Sequence, residues 1–173
     1  MIFFTVPTGS RQALPEDVER LYGQYADMIY RIAFVRTLNQ SDAEDVLQEV
    51  FCRYIRSAPQ FEDEGHSRAW FIRTAVNCST TLLTSAWKRR AVLGEETGAE
   101  KSLTSRMERD TEVYHAVMQL PRSQRTVVHL YYYEDCSVGE IARLTGSTQS
   151  AVKSRLFRAR EELRRLLKED IDV

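Results

Sequence analysis

Apolar residues recur every three or four positions from Pro15 onward, which is the spacing of one face of an α-helix. The first such stretch carries Val18, Leu21, Tyr22, Tyr25, Ile29 and Ile32. Proline suits the first turn of a helix, where its missing N–H would have had no partner. The pattern therefore predicts a helix that begins at Pro15.

Two more helices are predicted before residue 94. Ser41 and Glu44 form an S-x-x-E capping box ahead of the next periodic stretch, which predicts a helix from Ser41 to near Pro59. Ser67 is the predicted cap of a longer third helix. One stripe of that helix is mainly apolar, and a second combines aromatic, polar and basic side chains. The second stripe consists of Trp70, Arg73, Asn77, Thr81, Thr84 and Lys88.

The periodicity stops between residues 94 and 110, a stretch with two glycines, many charges and one leucine. This composition predicts a flexible linker between a domain at 14–93 and a domain at 111–173. A random-coil linker would let the two domains move independently. We expect an all-α protein of two small helical domains.

The second domain shows clearer helix boundaries. A short apolar stretch ends at Pro121 and another helix follows it. Ser137 and Glu140 form a second capping box, and Gly146 stands where a helix would stop. Ser147 or Thr148 can then cap the last helix. These signals predict four helices after the linker.

Composition excludes several classes of protein. Glycine and proline together number 11, which disfavours turn-rich β architectures, and no apolar run is long enough to cross a membrane. The apolar start is too short for a signal peptide, so we expect a cytoplasmic protein. Cys52, Cys78 and Cys136 lie far apart without nearby histidines, so we expect reduced thiols and neither a disulfide nor a metal site.

The helix pair at 137–161 is typical of a helix-turn-helix. The small residue where the two helices cross is Ala142, and the glycine at the turn is Gly146. The β-branched residue of the second helix that faces the first helix is Val152. The second helix presents groups that hydrogen-bond base edges and phosphates. These are Thr148, Gln149, Ser150, Lys153, Ser154, Arg155 and Arg158. The alternative is an ordinary helical hairpin with a solvated basic face.

Two further faces point to partners. Asp45, Gln48 and Glu49 share the polar face of the second helix and indicate a basic protein partner, unless that face is merely solvated. The segment 66–93 carries five basic and no acidic residues. Its stripe from Trp70 to Lys88, continued by Arg89 and Arg90, is typical of a surface for single-stranded or opened DNA. Trp70 could instead belong to the core.

In these motifs, the chain from about residue 14 resembles the extracytoplasmic-function sigma factors of bacteria. The segment DAEDVLQEVF at 42–51 resembles region 2.2 of that family, and SRAWFIRTAVN at 67–77 resembles region 2.3. Residues 120–163 resemble region 4. The family pattern is not matched in region 2.4, where Thr81 and Thr84 stand in place of an Asp and an Arg.

The resemblance implies a sigma factor that binds core RNA polymerase, recognises minus-35 and minus-10 promoter elements and promotes initiation. Asp45, Gln48 and Glu49 would contact the clamp helices of the β′ subunit, and the helices around 113–133 would contact the β flap. The basic stripe, including Trp70, Asn77 and Lys88, would contact minus-10 DNA, and the last helix the minus-35 element. An anti-sigma factor is the implied inhibitor, and neither a cofactor nor a small-molecule substrate is implied.

The alternatives are a helix-turn-helix protein that binds intact duplex DNA and an enzyme. A helix-turn-helix repressor or response-regulator output domain would need a dimer interface or a receiver domain, and the first half lacks βα alternation. An enzyme would need convergent catalytic groups, but His66, His115 and His129 have no suitably spaced partners and no phosphate-binding glycine loop is present.

Overall fold

The computed structural model describes residues 13–93 and 112–169, with side chains for 13–86 and 112–168. Seven helices make up almost all of this described part of the chain. They are α1 (Pro15–Thr37), α2 (Gln40–Ser57), α3 (Glu64–Leu93), α4 (Glu112–Gln119), α5 (Arg122–Tyr132), α6 (Val138–Thr145) and α7 (Gln149–Glu169). The expected all-α class is confirmed, and the linker predicted at 94–110 lies outside the described residues.

The first half packs α1, α2 and α3 around a core rich in aromatic rings. Phe71 of α3 is completely buried, and its ring centroid lies 4.8 Å from that of Tyr25 and 5.4 Å from that of Phe51. Tilted aromatic pairs at such distances add to the stabilisation that burial already gives. This cluster holds α1, α2 and α3 together at one end.

Two predicted helix starts are wrong. Helix α2 is capped by Asn39, whose side chain accepts a hydrogen bond from the Asp42 N–H at 2.9 Å, so Ser41 lies inside the first turn. Helix α3 begins at Glu64, where the Asp63 carboxylate accepts a bond from the His66 N–H at 2.7 Å. Ser67 is buried, and its hydroxyl lies 2.8 Å from the Tyr25 hydroxyl. It ties α3 to α1 and caps neither helix.

The second half follows the predicted boundaries closely. The capping box of Ser137 and Glu140 forms at the start of α6. Gly146 ends that helix with φ of 62°, a left-handed conformation that favours glycine. The Thr148 hydroxyl caps α7 by accepting a bond from the Ala151 N–H at 3.1 Å. Ala142 and Val152 are both buried between the helices, so the predicted helix-turn-helix is confirmed.

The two halves contact each other, with α1 packed on α5 and α3 packed on α6. We call this the closed arrangement, and independent motion of two domains stays a prediction. Arg125 of α5 is buried and donates to the Val35 carbonyl near the end of α1, as well as to the Leu120 carbonyl at 2.7 Å. Burial lowers the pKa of Arg125 to about 10, still far above neutrality, so the side chain stays charged.

Like Arg125, Glu134 connects the two halves, and it is only 4% exposed. Its carboxylate lies 3.4 Å from Arg31 of α1, 3.3 Å from Arg68 of α3 and 3.1 Å from His129 of α5. Burial alone would raise the pKa of Glu134. The hydrogen bond with His129 and the charges of His129, Arg31 and Arg68 outweigh burial and lower it. The carboxylate is therefore ionised at neutral pH and joins Arg31 and Arg68 of the first half to His129 of the second half.

None of the helices in the described part of the chain is long and apolar enough to cross a membrane. Within the same residues no group of three His, Cys, Asp or Glu side chains is placed to hold a metal ion. The three cysteines are unbridged, and burial raises the pKa of the Cys78 and Cys136 thiols. Both thiols are protonated at neutral pH.

Candidate nucleic-acid interface

The acidic face of α2 is accessible. Asp45 and Gln48 are exposed, while Glu49 is partly exposed and ion-paired on its own helix. Its carboxylate accepts a bond from Arg53 at 2.8 Å and lies 3.4 Å from Arg56. The Arg53 hydrogen bond is the main cause that lowers the pKa of Glu49. The three predicted polymerase-binding residues therefore lie on one helix face, but Glu49 already has intramolecular partners.

An open cavity of about 430 Å³ lies where α2 passes α3. We call it the α2–α3 pocket. Helix α2 contributes Arg53, Arg56 and Ser57, and α3 contributes Trp70, Thr74 and Asn77. An aromatic ring, an amide and two guanidinium groups in one open cavity can stack a base, hydrogen-bond its edge and neutralise phosphates. The pocket has the chemistry to hold a nucleotide of a single strand.

Trp70 both packs against the core and lines the α2–α3 pocket. Its ring centroid lies 5.0 Å from that of Phe71 and 6.1 Å from that of Tyr54, in edge-to-face contacts that anchor it on the core. The same side chain is partly exposed and lines the pocket. Packing on one side fixes the indole, so little conformational entropy would be lost if a base stacked on the other side.

The rest of the predicted stripe on α3 follows the same helix. Arg73, Thr81 and Thr84 are exposed, and the Thr81 hydroxyl donates to the Asn77 carbonyl of its own helix at 3.1 Å. Arg73 does not line the α2–α3 pocket. Helix α3 continues through Lys88, Arg89 and Arg90, but their side chains lie outside the described residues.

Helix α7 turns its polar residues outward. Six of the seven predicted minus-35 residues are exposed, namely Thr148, Gln149, Ser150, Lys153, Ser154 and Arg158. Arg155 is partly buried and donates to the Ser147 hydroxyl at 2.7 Å. That bond joins α7 to the turn before it and fixes the orientation of the Arg155 guanidinium.

The pocket residues on α2 were missed in the sequence analysis. Arg53 and Arg56 follow Glu49 at i+4 and i+7, which is one face of a helix, so the spacing could have revealed their pairing. Nothing in the spacing shows that this face meets Trp70 and Asn77. The cluster of Arg31, Arg68 and Glu134 was missed as well, because its members are far apart in sequence and no local pattern links them.

Comparison with known proteins identifies the family of each half. Residues 21–89 match the family Sigma-70 region 2, and residues 110–163 match Sigma-70, region 4. The chain is 33% identical to the RNA polymerase sigma factor SigV of Bacillus subtilis over 82% of this chain and 86% of SigV. It is 31% identical to the ECF RNA polymerase sigma factor BldN of Streptomyces coelicolor over 87% of this chain and 60% of BldN.

A solved structure shares the fold. The sigma factor RpoE of Bartonella quintana, crystallised with the anti-sigma factor NepR, aligns with a TM-score of 0.67 over 88% of this chain and 98% of RpoE. The sequence identity is 20%. The helices of both halves therefore have counterparts in one known chain.

Proposed function

The chain belongs to the extracytoplasmic-function group of RNA polymerase sigma factors, and we propose that each of its three polar surfaces binds a different partner during initiation. In this proposal the acidic face of α2 binds core RNA polymerase, α7 recognises the minus-35 element, and the α2–α3 pocket holds the opened minus-10 strand. The observation that carries the proposal is the pocket, where Trp70 and Asn77 meet Arg53 and Arg56.

The polymerase contact is proposed for Asp45, Gln48 and Glu49, with the β′ clamp helices as partner. Asp45 and Gln48 are free of the buried core and project from a rigid helix. Carboxylates on such a face favour a basic partner surface and speed its association. The helices around 113–133 are proposed to contact the β flap.

DNA recognition is proposed to involve both halves. The outward residues of α7 are suited to the major groove, in the manner of a helix-turn-helix recognition helix. They are Thr148, Gln149, Ser150, Lys153, Ser154, Arg155 and Arg158. The opened strand is assigned to Trp70, Arg73 and Asn77, with Lys88, Arg89 and Arg90 further along α3. Stacking and amide contacts suit an extruded base, and the arginines suit its phosphates.

This assignment requires the closed arrangement to open. Elements at minus-35 and minus-10 lie about 25 base pairs apart, which is about 85 Å along the helix axis. A compact chain of 173 residues has a radius of gyration of about 16 Å, too small to reach both. In addition, α5 is largely buried between its neighbours and could not present its length to the β flap. We therefore propose that the two halves separate when the holoenzyme forms.

Regulation is proposed to come from an anti-sigma factor, the kind of partner present in the Bartonella RpoE structure. The proposal gives the chain a binding function and no covalent chemistry of its own. Catalysis of RNA synthesis belongs to core RNA polymerase.

The experiment that tests the proposal combines the purified chain with core RNA polymerase and fragments of genomic DNA, and then sequences the transcripts. We expect initiation from a set of promoters that core polymerase alone does not use. Asp45→Lys should abolish co-elution with core polymerase while leaving the helical circular dichroism unchanged.

The matched control is Glu19→Lys, an equal charge reversal at an exposed position of α1. It should co-elute with core polymerase like the unsubstituted chain. Normal holoenzyme formation by Asp45→Lys would reject the acidic face of α2 as the contact, and absence of specific transcripts would reject the proposed function.

A further inference from the structure

One carboxylate connects the acidic face of α2 with the α2–α3 pocket. Glu49 belongs to the face assigned to polymerase, yet it is ion-paired to Arg53 at 2.8 Å and to Arg56 at 3.4 Å. Arg53 and Arg56 are the two cations among the residues that line the pocket. Whatever engages Glu49 therefore changes the charge available to a strand in the pocket.

Building on the proposed function, we propose that Glu49 is an exchangeable counterion that couples polymerase binding to strand capture. In the free chain the Glu49 carboxylate pairs with Arg53 and Arg56 and offsets one of their two positive charges. When a basic group of polymerase takes the Glu49 carboxylate, the two guanidinium groups become available to the phosphates of the strand in the pocket. Arg53 and Arg56 are thereby assigned as phosphate-binding residues.

The exposure of these groups makes the exchange feasible. The side chains of Arg53 and Glu49 are 40% and 41% exposed, and that of Arg56 is 68% exposed. Ion pairs at such positions are screened by water and contribute little to stability, so another cation can replace either partner. A buried group such as Glu134 could not exchange in this way within the closed arrangement, because losing its partners there would leave a charge without solvent or partner.

The paired carboxylate also opposes DNA directly. A phosphate that approached Arg53 would meet Glu49 within hydrogen-bonding distance of the same guanidinium, and the two anions would repel each other. Trp70 and Asn77 are unaffected by this pairing, so stacking and base contacts remain available throughout. The exchange therefore acts on phosphate binding and leaves recognition of the base in place.

The test uses the full chain without polymerase and a fluorescein-labelled single strand of twelve thymidines, because stacking tolerates any base. Glu49→Gln removes the carboxylate charge and keeps the side-chain size. We expect it to bind the single strand about three to ten times more tightly than the unsubstituted chain, the scale of one or two exposed charge contacts. The dependence of binding on salt should steepen by about 0.7 per phosphate gained.

The matched control is Glu44→Gln, the same change of charge on the same helix. Glu44 is exposed and bonds to Gln40, and it does not line the pocket. An equal gain in Glu44→Gln would show that the effect is only the change in net charge, and would overturn the proposal. No gain in Glu49→Gln would overturn it too.

A thermodynamic cycle identifies the groups that cause the gain. Arg53→Gln with Arg56→Gln should weaken binding less while Glu49 is present than in the Glu49→Gln background, because Glu49 occupies the two guanidinium groups and offsets one of their charges. The same pair of substitutions should remove the gain in the Glu49→Gln background. A gain that survives their removal would overturn the assignment of Arg53 and Arg56. Circular dichroism of every variant verifies that the helices are intact.

Core polymerase is added in a separate arm, so that failure of this proposal and failure of the proposed function can be told apart. If the unsubstituted chain forms no complex with core polymerase, the proposed function fails, whatever the oligonucleotide shows. If the complex forms but the cycle shows no coupling between Glu49 and the two arginines, only the counterion proposal fails.

Discussion

Asn39 shows how a single residue decides where a helix begins. Its side chain accepts a hydrogen bond from the Asp42 N–H, one of the donors that the first turn of α2 leaves unpaired. Asn39→Ala should therefore reduce the free energy of unfolding by about 1 kcal/mol. Urea denaturation followed by circular dichroism measures the change.

Ser41→Ala is the control for that prediction. Ser41 lies within the first turn of α2 and is exposed, so its replacement should change stability by less than about 0.5 kcal/mol. A larger loss from Ser41→Ala than from Asn39→Ala would restore the capping box that the sequence predicts and contradict the structure.

At the scale of elements, α7 combines one pre-oriented arginine with freely exposed cations. Because the Ser147 hydroxyl holds Arg155, we expect Arg155 to contact a base, and Arg155→Ala should cost about 1–3 kcal/mol at one promoter position. Lys153 is exposed, and Lys153→Ala should weaken binding evenly across DNA sequences. The slope of log affinity against log salt concentration should fall by the amount expected for the loss of about one phosphate contact. Holoenzyme affinity for a set of minus-35 variants measures both effects.

The two α7 variants are each other's controls. If Arg155→Ala weakens binding to all minus-35 variants equally and Lys153→Ala weakens binding only to some of them, the roles assigned to the two residues are reversed. If neither substitution changes affinity, these two side chains lie outside the DNA contact.

At the scale of the whole molecule, Glu134 and Arg125 hold the halves together. Glu134→Gln leaves Arg31 and Arg68 without their anionic partner, and we expect it to destabilise the closed arrangement by about 1–3 kcal/mol. Small-angle X-ray scattering should show a larger radius of gyration than the roughly 16 Å of a compact chain. Glu161→Gln breaks an exposed pair with Arg164 on α7 and should leave the radius unchanged. An unchanged radius for Glu134→Gln would show that Glu134 does not hold the halves together.

The same carboxylate makes closure dependent on pH. Contact with His129, Arg31 and Arg68 lowers the pKa of Glu134 in the closed arrangement below its ordinary value of about 4.5. Its contribution is therefore fully present above about pH 4.5 and is lost as the pH falls through the lower, closed-state pKa. The difference in radius between the unsubstituted chain and Glu134→Gln should shrink across that acidic range. A difference that stays constant down to pH 3 would exclude ionised Glu134 as its cause.

Local sequence signals determined most of the second half. The capping box at Ser137, the left-handed Gly146 and the buried Val152 each depend on neighbours within a few residues, so propensity and spacing predict them correctly. The same rules went wrong at α2 because Asn39 and Ser41 are both good caps two positions apart. Spacing alone cannot rank such neighbours, since the choice depends on how the chain leaves α1 through Leu38.

The sequence by itself determined the helices, the helix-turn-helix, the outward face of α7 and the family, because these follow from periodicity and short motifs. Only the tertiary structure decided which faces meet. It brought Arg53 and Arg56 of α2 to Trp70 and Asn77 of α3, and Glu134 to Arg31 and Arg68 across intervals of more than sixty residues. Such contacts depend on the packing of whole helices. The local sequence around a charged residue does not show whether its side chain is solvated or paired with a residue of another helix.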